Sequence, residues 1–227
     1  MTKKAEGTKH EGDLKGRNAL YLWSFVAVNL TVFLSVTVGR SFPGSLRSIG
    51  QWWPQVSAKN GIIAVFIPIA VIVLAGLLSD ASKARLVFWR WHDPLPGCRA
   101  FSNLLERDPR IDVKVLTSKH GKFPRSPSAQ NALWYRFYRE HKTKPMVWYA
   151  HRVYLLTRDL AAVAACFAVL FPLGAVAARL DWRTVSFYAA ALIVQYAIIA
   201  TAARNYGYSF VLDVLSEECA TCRTTSA

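Results

Sequence analysis

Residues 160–177 read LAAVAACFAVLFPLGAVA, and residues 185–203, after a turn around Leu180-Asp181-Trp182, read VSFYAAALIVQYAIIATAA. Neither contains an Asp, Glu, Lys, Arg or His. At 18 and 19 residues, each approaches the ~20 that a helix needs to cross a hydrocarbon core of about 30 Å. Only a few residues join them, so the two are read as antiparallel neighbours.

Two further charge-free runs lie upstream, Ala19–Val38 and Gly61–Leu78, of 20 and 18 residues. The expected fold is therefore an all-α membrane protein with four transmembrane helices arranged as two hairpins. Its parts are an N-terminal tail (1–18), a first hairpin (19–78) with an outer loop (39–60), a basic insertion (79–159), a second hairpin (160–203) and a C-terminal segment (204–227). The outer loop carries Phe42-Pro43-Gly44 and Trp52-Trp53-Pro54, and tryptophan favours the headgroup level. The first run is longer than a signal-peptide core, and no small-residue cleavage pattern follows it before Arg40, so it is read as a retained helix.

The chain holds 227 residues, 53% of them hydrophobic, with mean hydropathy +0.20, which excludes general disorder. Its 28 Lys and Arg against 14 Asp and Glu are unevenly spread. The N-terminal tail has five basic residues and the insertion sixteen, against three in the first connection and two in the turn near Asp181. Positive charge is retained on the cytoplasmic side, so both termini and the insertion are expected inside an inner membrane.

The insertion is expected to be mainly helical. Asp93-Pro94-Leu95-Pro96-Gly97 opens it as a turn, and a short helix is expected over Arg99–Glu106. Ile111-Asp112-Val113-Lys114-Val115 alternates with period two and predicts one short strand, followed by a basic loop over Thr117–Pro127. Ser126-Pro127 predicts a helix start, and Leu133, Trp134, Phe137 and Tyr138 give that helix an aromatic face reaching about His141. Lys144-Pro145 restarts a helix whose Met146, Tyr149, Val153, Leu156 and Leu160 run at helical spacing into the third span. Such a rod would carry a cytoplasmic event into the membrane as a rigid body.

Candidate chemistry is sparse. His92, His120, His141 and His151 with Cys98 have irregular spacing, which favours ordinary histidines over a metal centre. Cys219-Ala-Thr-Cys222 has redox or zinc-like spacing, but it is read as an inert pair in a polar tail with no second pair beside it. Thiols on the inner side are expected reduced. The His92-Asp93 dipeptide and the acids Glu106, Asp108 and Asp112 offer the material of an acid–base site, with a charged surface turn the plainer reading. No phosphate loop, nucleophile elbow or HExxH pair occurs. No catalytic residue, metal or cofactor is assigned.

Asn29 and Gln195 lie near the middle of the first and fourth runs and are expected to meet in an interhelical amide contact of ~0.6–2 kcal/mol. Ala161, Ala164, Ala165 and Ala168 leave room for close helix packing or self-association. Arg99, Arg107, Arg110, Lys119, Lys122, Arg125, Arg136 and Arg139, with Trp89, Trp91, Trp134, Tyr135, Tyr138 and Trp148, suit an anionic lipid surface at ~1 kcal/mol per cation. The sharper alternative is a nucleotide or nucleic-acid site in which rings stack on bases.

The layout is broadly similar to that of membrane subunits of bacterial anti-phage systems, in which a cytosolic signal triggers membrane perturbation. That layout implies a non-enzymatic sensor or effector, in defence for example, whose basic domain binds an anionic ligand or a cytoplasmic protein partner. Homo-oligomeric spans would then alter permeability. The alternatives are a membrane-bound enzyme acting on a lipid or other interfacial substrate, and an accessory structural subunit.

Overall fold

The structure is a computed structural model. It describes residues 2–38 and 76–226 with positions 66, 69, 70 and 73 between them, and side chains over 18–37, at those positions and over 76–224. Among the described residues, six α-helices have defined bounds, together with a set of irregular turns. These are α1 (Thr2–Val38), α2 (Asp80–Phe88), α3 (Val113–His120), α4 (Pro127–His141), α5 (Pro145–Ala177) and α6 (Trp182–Ser226).

Among the described residues, three helices are long and apolar enough to cross a membrane, over Asn18–Thr37, Pro145–Ala177 and Trp182–Thr224. The expected second span, Gly61–Leu78, falls largely outside the described residues. Its described positions Phe66, Ile69, Ala70, Val73, Gly76 and Leu77 are helical, with Phe66, Ile69, Val73 and Leu77 exposed. The outer loop 39–60 lies outside the described residues as well.

The chain divides into two compact units, Met1–Ser79 with Asp159–Ile199, and Asp80–Arg158 with Ala200–Ala227. In the first, Val26 and Phe33 of α1 pack with Val163, Phe167 and Phe171 of α5 and with Val185, Tyr188 and Leu192 of α6. The rings stack in series, Phe33 to Phe171 at 4.7 Å and Phe167 to Phe171 at 4.4 Å. Ala161 and Ala164 are fully buried. Large apolar side chains elsewhere on these helices, among them Leu20, Trp23, Val169, Leu173, Phe187 and Ile198, are exposed. An apolar surface of that kind is suited to lipid rather than water.

The second unit is built around α4. Ser126 precedes Pro127 at the first helical turn, as the sequence predicts. Trp134, Phe137 and Tyr138 are buried on one face, while Arg136 and Arg139 are exposed. Trp134 and Tyr138 are thus core residues, and of the aromatics expected at the surface, Trp89, Trp91 and Tyr135 are the exposed ones. Phe210 from α6 meets Trp134 edge-on at 5.2 Å and stacks on His151 at 4.7 Å. Tyr138 Oη lies 3.0 Å from His151 Nδ1.

Two glycines permit close approach here. A Cβ on Gly97 would stand 2.5 Å from Asn131 Oδ1 and 2.6 Å from Trp134 Cε3. One on Gly207 would stand 2.8 Å from Phe88 Cζ and 2.9 Å from Tyr154 Cε2.

Several sequence expectations are corrected. The predicted strand at Ile111–Val115 is the start of α3. Asp112 adopts extended backbone and its carboxylate accepts from Lys114 N and Val115 N, so it caps the helix. An aspartate before a short apolar run carries a start signal that outweighs five residues of alternation. The basic loop consequently shrinks to 121–126, and Lys119 and His120 ride on α3.

The short helix expected over Arg99–Glu106 is irregular, with tight turns at Pro96–Arg99 and Leu105–Arg107 flanking a wide π turn at Ala100–Leu104. Buried Gln130 holds it. Its Oε1 accepts from Phe101 N and Ser102 N, and its Nε2 donates to Arg125 O.

The polar tail is helical, since α6 continues to Ser226. The expected continuity of α5 into the third span holds, as the helix is unbroken from Pro145 to Ala177. Its buried face in the second unit is rotated from the predicted stripe, however, and comprises Val147, Ala150, His151, Tyr154, Leu155 and Arg158, while Tyr149 is 62% exposed. Arg158 is tolerated there because its guanidinium reaches Asp80 Oδ1 at 3.0 Å.

Candidate functional site: a histidine, glutamate and cysteine cluster

Three helices of the second unit meet at Glu218. In α6, Glu218 and Cys222 are four residues apart and so share a helical face. The last residue of α3 is His120 and the last of α4 is His141, so two helix C-termini bring imidazoles to the same carboxylate. The partial negative charge at those helix ends favours a cationic neighbour.

Glu218 is 2% exposed. His120 Nε2 lies 2.8 Å from its Oε1, and His141 Nε2 lies 2.7 Å from its Oε2. Cys222 Sγ stands 3.5 Å from Glu218 Oε1 and 3.9 Å from His120 Nε2. Lys119 Nζ approaches Oε1 at 3.6 Å from a side chain that is 40% exposed. A buried carboxylate is stable only with such partners. The ring of His120 also rests on Phe137 at 4.7 Å, which fixes its direction.

Cys219 serves the scaffold. Its sulfur receives the backbone N–H of Asp112 at 3.3 Å, tying α6 to the start of α3. The Cys219 and Cys222 thiols are both buried, so the tail pair sits inside the unit.

The residues expected to bind an anionic ligand divide in two. Arg107, Lys122, Arg125, Arg136 and Arg139 are exposed. Arg110 is held by Asp108 at 2.6 Å and Asp213 at 2.8 Å, Arg99 donates to Asp93 O at 3.3 Å, and Lys119 faces Glu218. The guanidinium beside Asp108 holds its carboxyl below the usual range, against the opposing effect of burial.

Asp108 and Asp112 are occupied as an ion-pair partner and a helix cap, and His92 and Asp93 are exposed. Burial, with the charge of Asp93, pushes the Cys98 thiol up, which disfavours its reactive thiolate. In the first unit, Asn29 Nδ2 donates to Phe25 O of its own helix at 3.0 Å, and Gln195 Oε1 is buried without a hydrogen-bond partner among the described residues.

In the sequence His120 and His141 belong to one irregularly spaced histidine set and Cys222 to a separate cysteine pair, and neither set includes Glu218. Glu218 lies 98 and 77 residues from the two histidines, so no local spacing marks it. Comparison with known protein families, characterised proteins and solved structures yields no match.

Proposed function

We propose that this chain is a non-enzymatic sensor or effector of the inner membrane, with four spans and a cytoplasmic basic unit that binds an anionic ligand or lipid headgroup. The observation that carries this reading is that α5 and α6 each supply both units without a break. At 1.5 Å per residue, 33 and 45 residues make helices of about 50 and 68 Å, well beyond a ~30 Å hydrocarbon core. A change in the charged unit therefore has a covalent, hydrogen-bonded path to apolar segments, and homo-oligomerised spans would convert it into altered permeability.

The ligand surface is assigned to the five exposed cations Arg107, Lys122, Arg125, Arg136 and Arg139. The exposed apolar positions in 66–77 support a crossing at Gly61–Leu78 as the second of four, and the uneven Lys and Arg distribution supports inward-facing termini.

The test is expression in cells carrying a potential-sensitive dye, with and without challenge by the cognate trigger. Depolarisation on challenge is the expected result. Maintained potential in cells holding abundant protein and the trigger would remove the effector half of the reading. Separately, replacing the five cations by glutamine should reduce affinity for anionic vesicles by up to ~1 kcal/mol per charge and leave binding to zwitterionic vesicles unchanged.

A further inference from the structure

The cluster around Glu218 brings imidazole, carboxylate and thiol donors together, where the sequence alone suggests no metal. We propose that His120 Nε2, one oxygen of Glu218 and Cys222 Sγ bind a single divalent ion of zinc's chemistry, with the fourth position open to solvent. The inference is independent of the membrane function proposed above.

Three observations converge. The donor atoms of His120, Glu218 and Cys222 all lie within 4.8 Å of one another. Nitrogen, carboxylate oxygen and sulfur together suit a borderline-soft cation, whereas a hard cation such as calcium or magnesium selects oxygen alone. Tetrahedral bonds of about 2.0–2.3 Å place neighbouring donors about 3.3–3.7 Å apart. The observed separations of 2.8, 3.5 and 3.9 Å bracket that range, so side-chain adjustments of about half an ångström seat the ion.

The surroundings also suit a metal. His141 holds the second Glu218 oxygen at 2.7 Å, which orients the ligating carboxylate as outer partners do in metal sites. Glu218 and Cys222 are buried, while the His120 side chain is 19% exposed and gives a route from solvent. Lys119 is an adverse charge beside Glu218. Its exposed side chain can turn to water as the ion takes its place on Glu218. Binding exchanges the Cys222 S–H bond for a sulfur–metal bond and releases the proton to buffer, with no change in oxidation state.

Purified full-length protein in detergent, stripped with chelator, is titrated with Co2+ and then Zn2+. The expected result is thiolate-to-cobalt charge-transfer absorption that saturates at one ion per chain and is abolished by Zn2+. Cys222→Ser should lose the band, Cys98→Ser should keep it, and His141→Ala should weaken affinity about 10–100-fold. Helical circular dichroism and a monodisperse elution profile verify that each variant is folded. X-ray absorption of the zinc-loaded wild-type chain needs no variant and should show one sulfur at about 2.3 Å among nitrogen and oxygen neighbours. A folded wild-type chain without the cobalt band, a band surviving in Cys222→Ser, or a zinc shell without sulfur would each overturn the assignment.

Discussion

Arg110 spends its guanidinium inside the molecule, on Asp108 at 2.6 Å and Asp213 at 2.8 Å. The second contact spans 103 residues of sequence and joins the loop before α3 to α6. Arg110 is 46% exposed and Asp108 9%, so solvent screening limits the interaction, and Arg110→Ala should cost about 1 kcal/mol in thermal or chemical unfolding. The Asp108 carboxyl is held below its ordinary value, chiefly by the Arg110 hydrogen bond. Its share of stability is therefore complete above the usual aspartate value of about 3.9 and is lost as pH falls through the lowered folded value. Acid titration of unfolding should show this loss in the wild type and a shallower loss in Arg110→Ala. Equal slopes would show that the pair contributes nothing. The same distance in sequence hides the Glu218 cluster, because a buried acid among tail residues looks like any solvated glutamate until α3 and α4 are placed against α6. Arg158 and His151 are hidden for a related reason. Hydropathy assigns charged residues to the surface, whereas here each is buried with a partner.

Local signals at element level were legible where they were strong. Ser126-Pro127 fixed the start of α4, and the absence of Pro or Gly from 146–160 marked the continuity of α5 into the third run. The local signals failed at Ile111–Val115, where an alternation of five residues obscured the cap at Asp112. Asp112→Ala should destabilise the second unit by about 1 kcal/mol, and Asp112→Asn should retain most of that, since asparagine caps equally well. Matching unfolding midpoints for the two variants would show that the cap is dispensable. A sharper packing test is Gly207→Ala, whose methyl would enter the rings of Phe88 and Tyr154, each 5% exposed. Buried rings in a packed core yield little, so a loss of about 1–3 kcal/mol is expected, read as a lower unfolding midpoint of the detergent-solubilised chain. Unchanged stability would mean that α2 and α5 have room to move away from α6.

At the scale of the whole chain, the membrane character was legible because uncharged runs near 20 residues have few other uses, while the number of crossings depends on a segment that periodicity alone does not settle. Parity decides it. An odd number of crossings places the two termini on opposite sides, and an even number returns them to the same side. α1, α5 and α6 provide three candidates, so termini that share a side require another crossing, for which Gly61–Leu78 offers 18 uncharged residues. Among the described positions there, Phe66, Ile69, Val73 and Leu77 are exposed. Charge points the same way, because five basic residues in the N-terminal tail and sixteen in 79–159 are both retained on the cytoplasmic side only if an even number of crossings separates them. Reporter fusions at the N-terminus, within 100–140 and at the C-terminus should therefore all report cytoplasm, and one at residue 50 should report the exterior. If the N-terminal fusion alone reported the exterior, the chain would cross three times, and the first hairpin would have to be replaced by a single span.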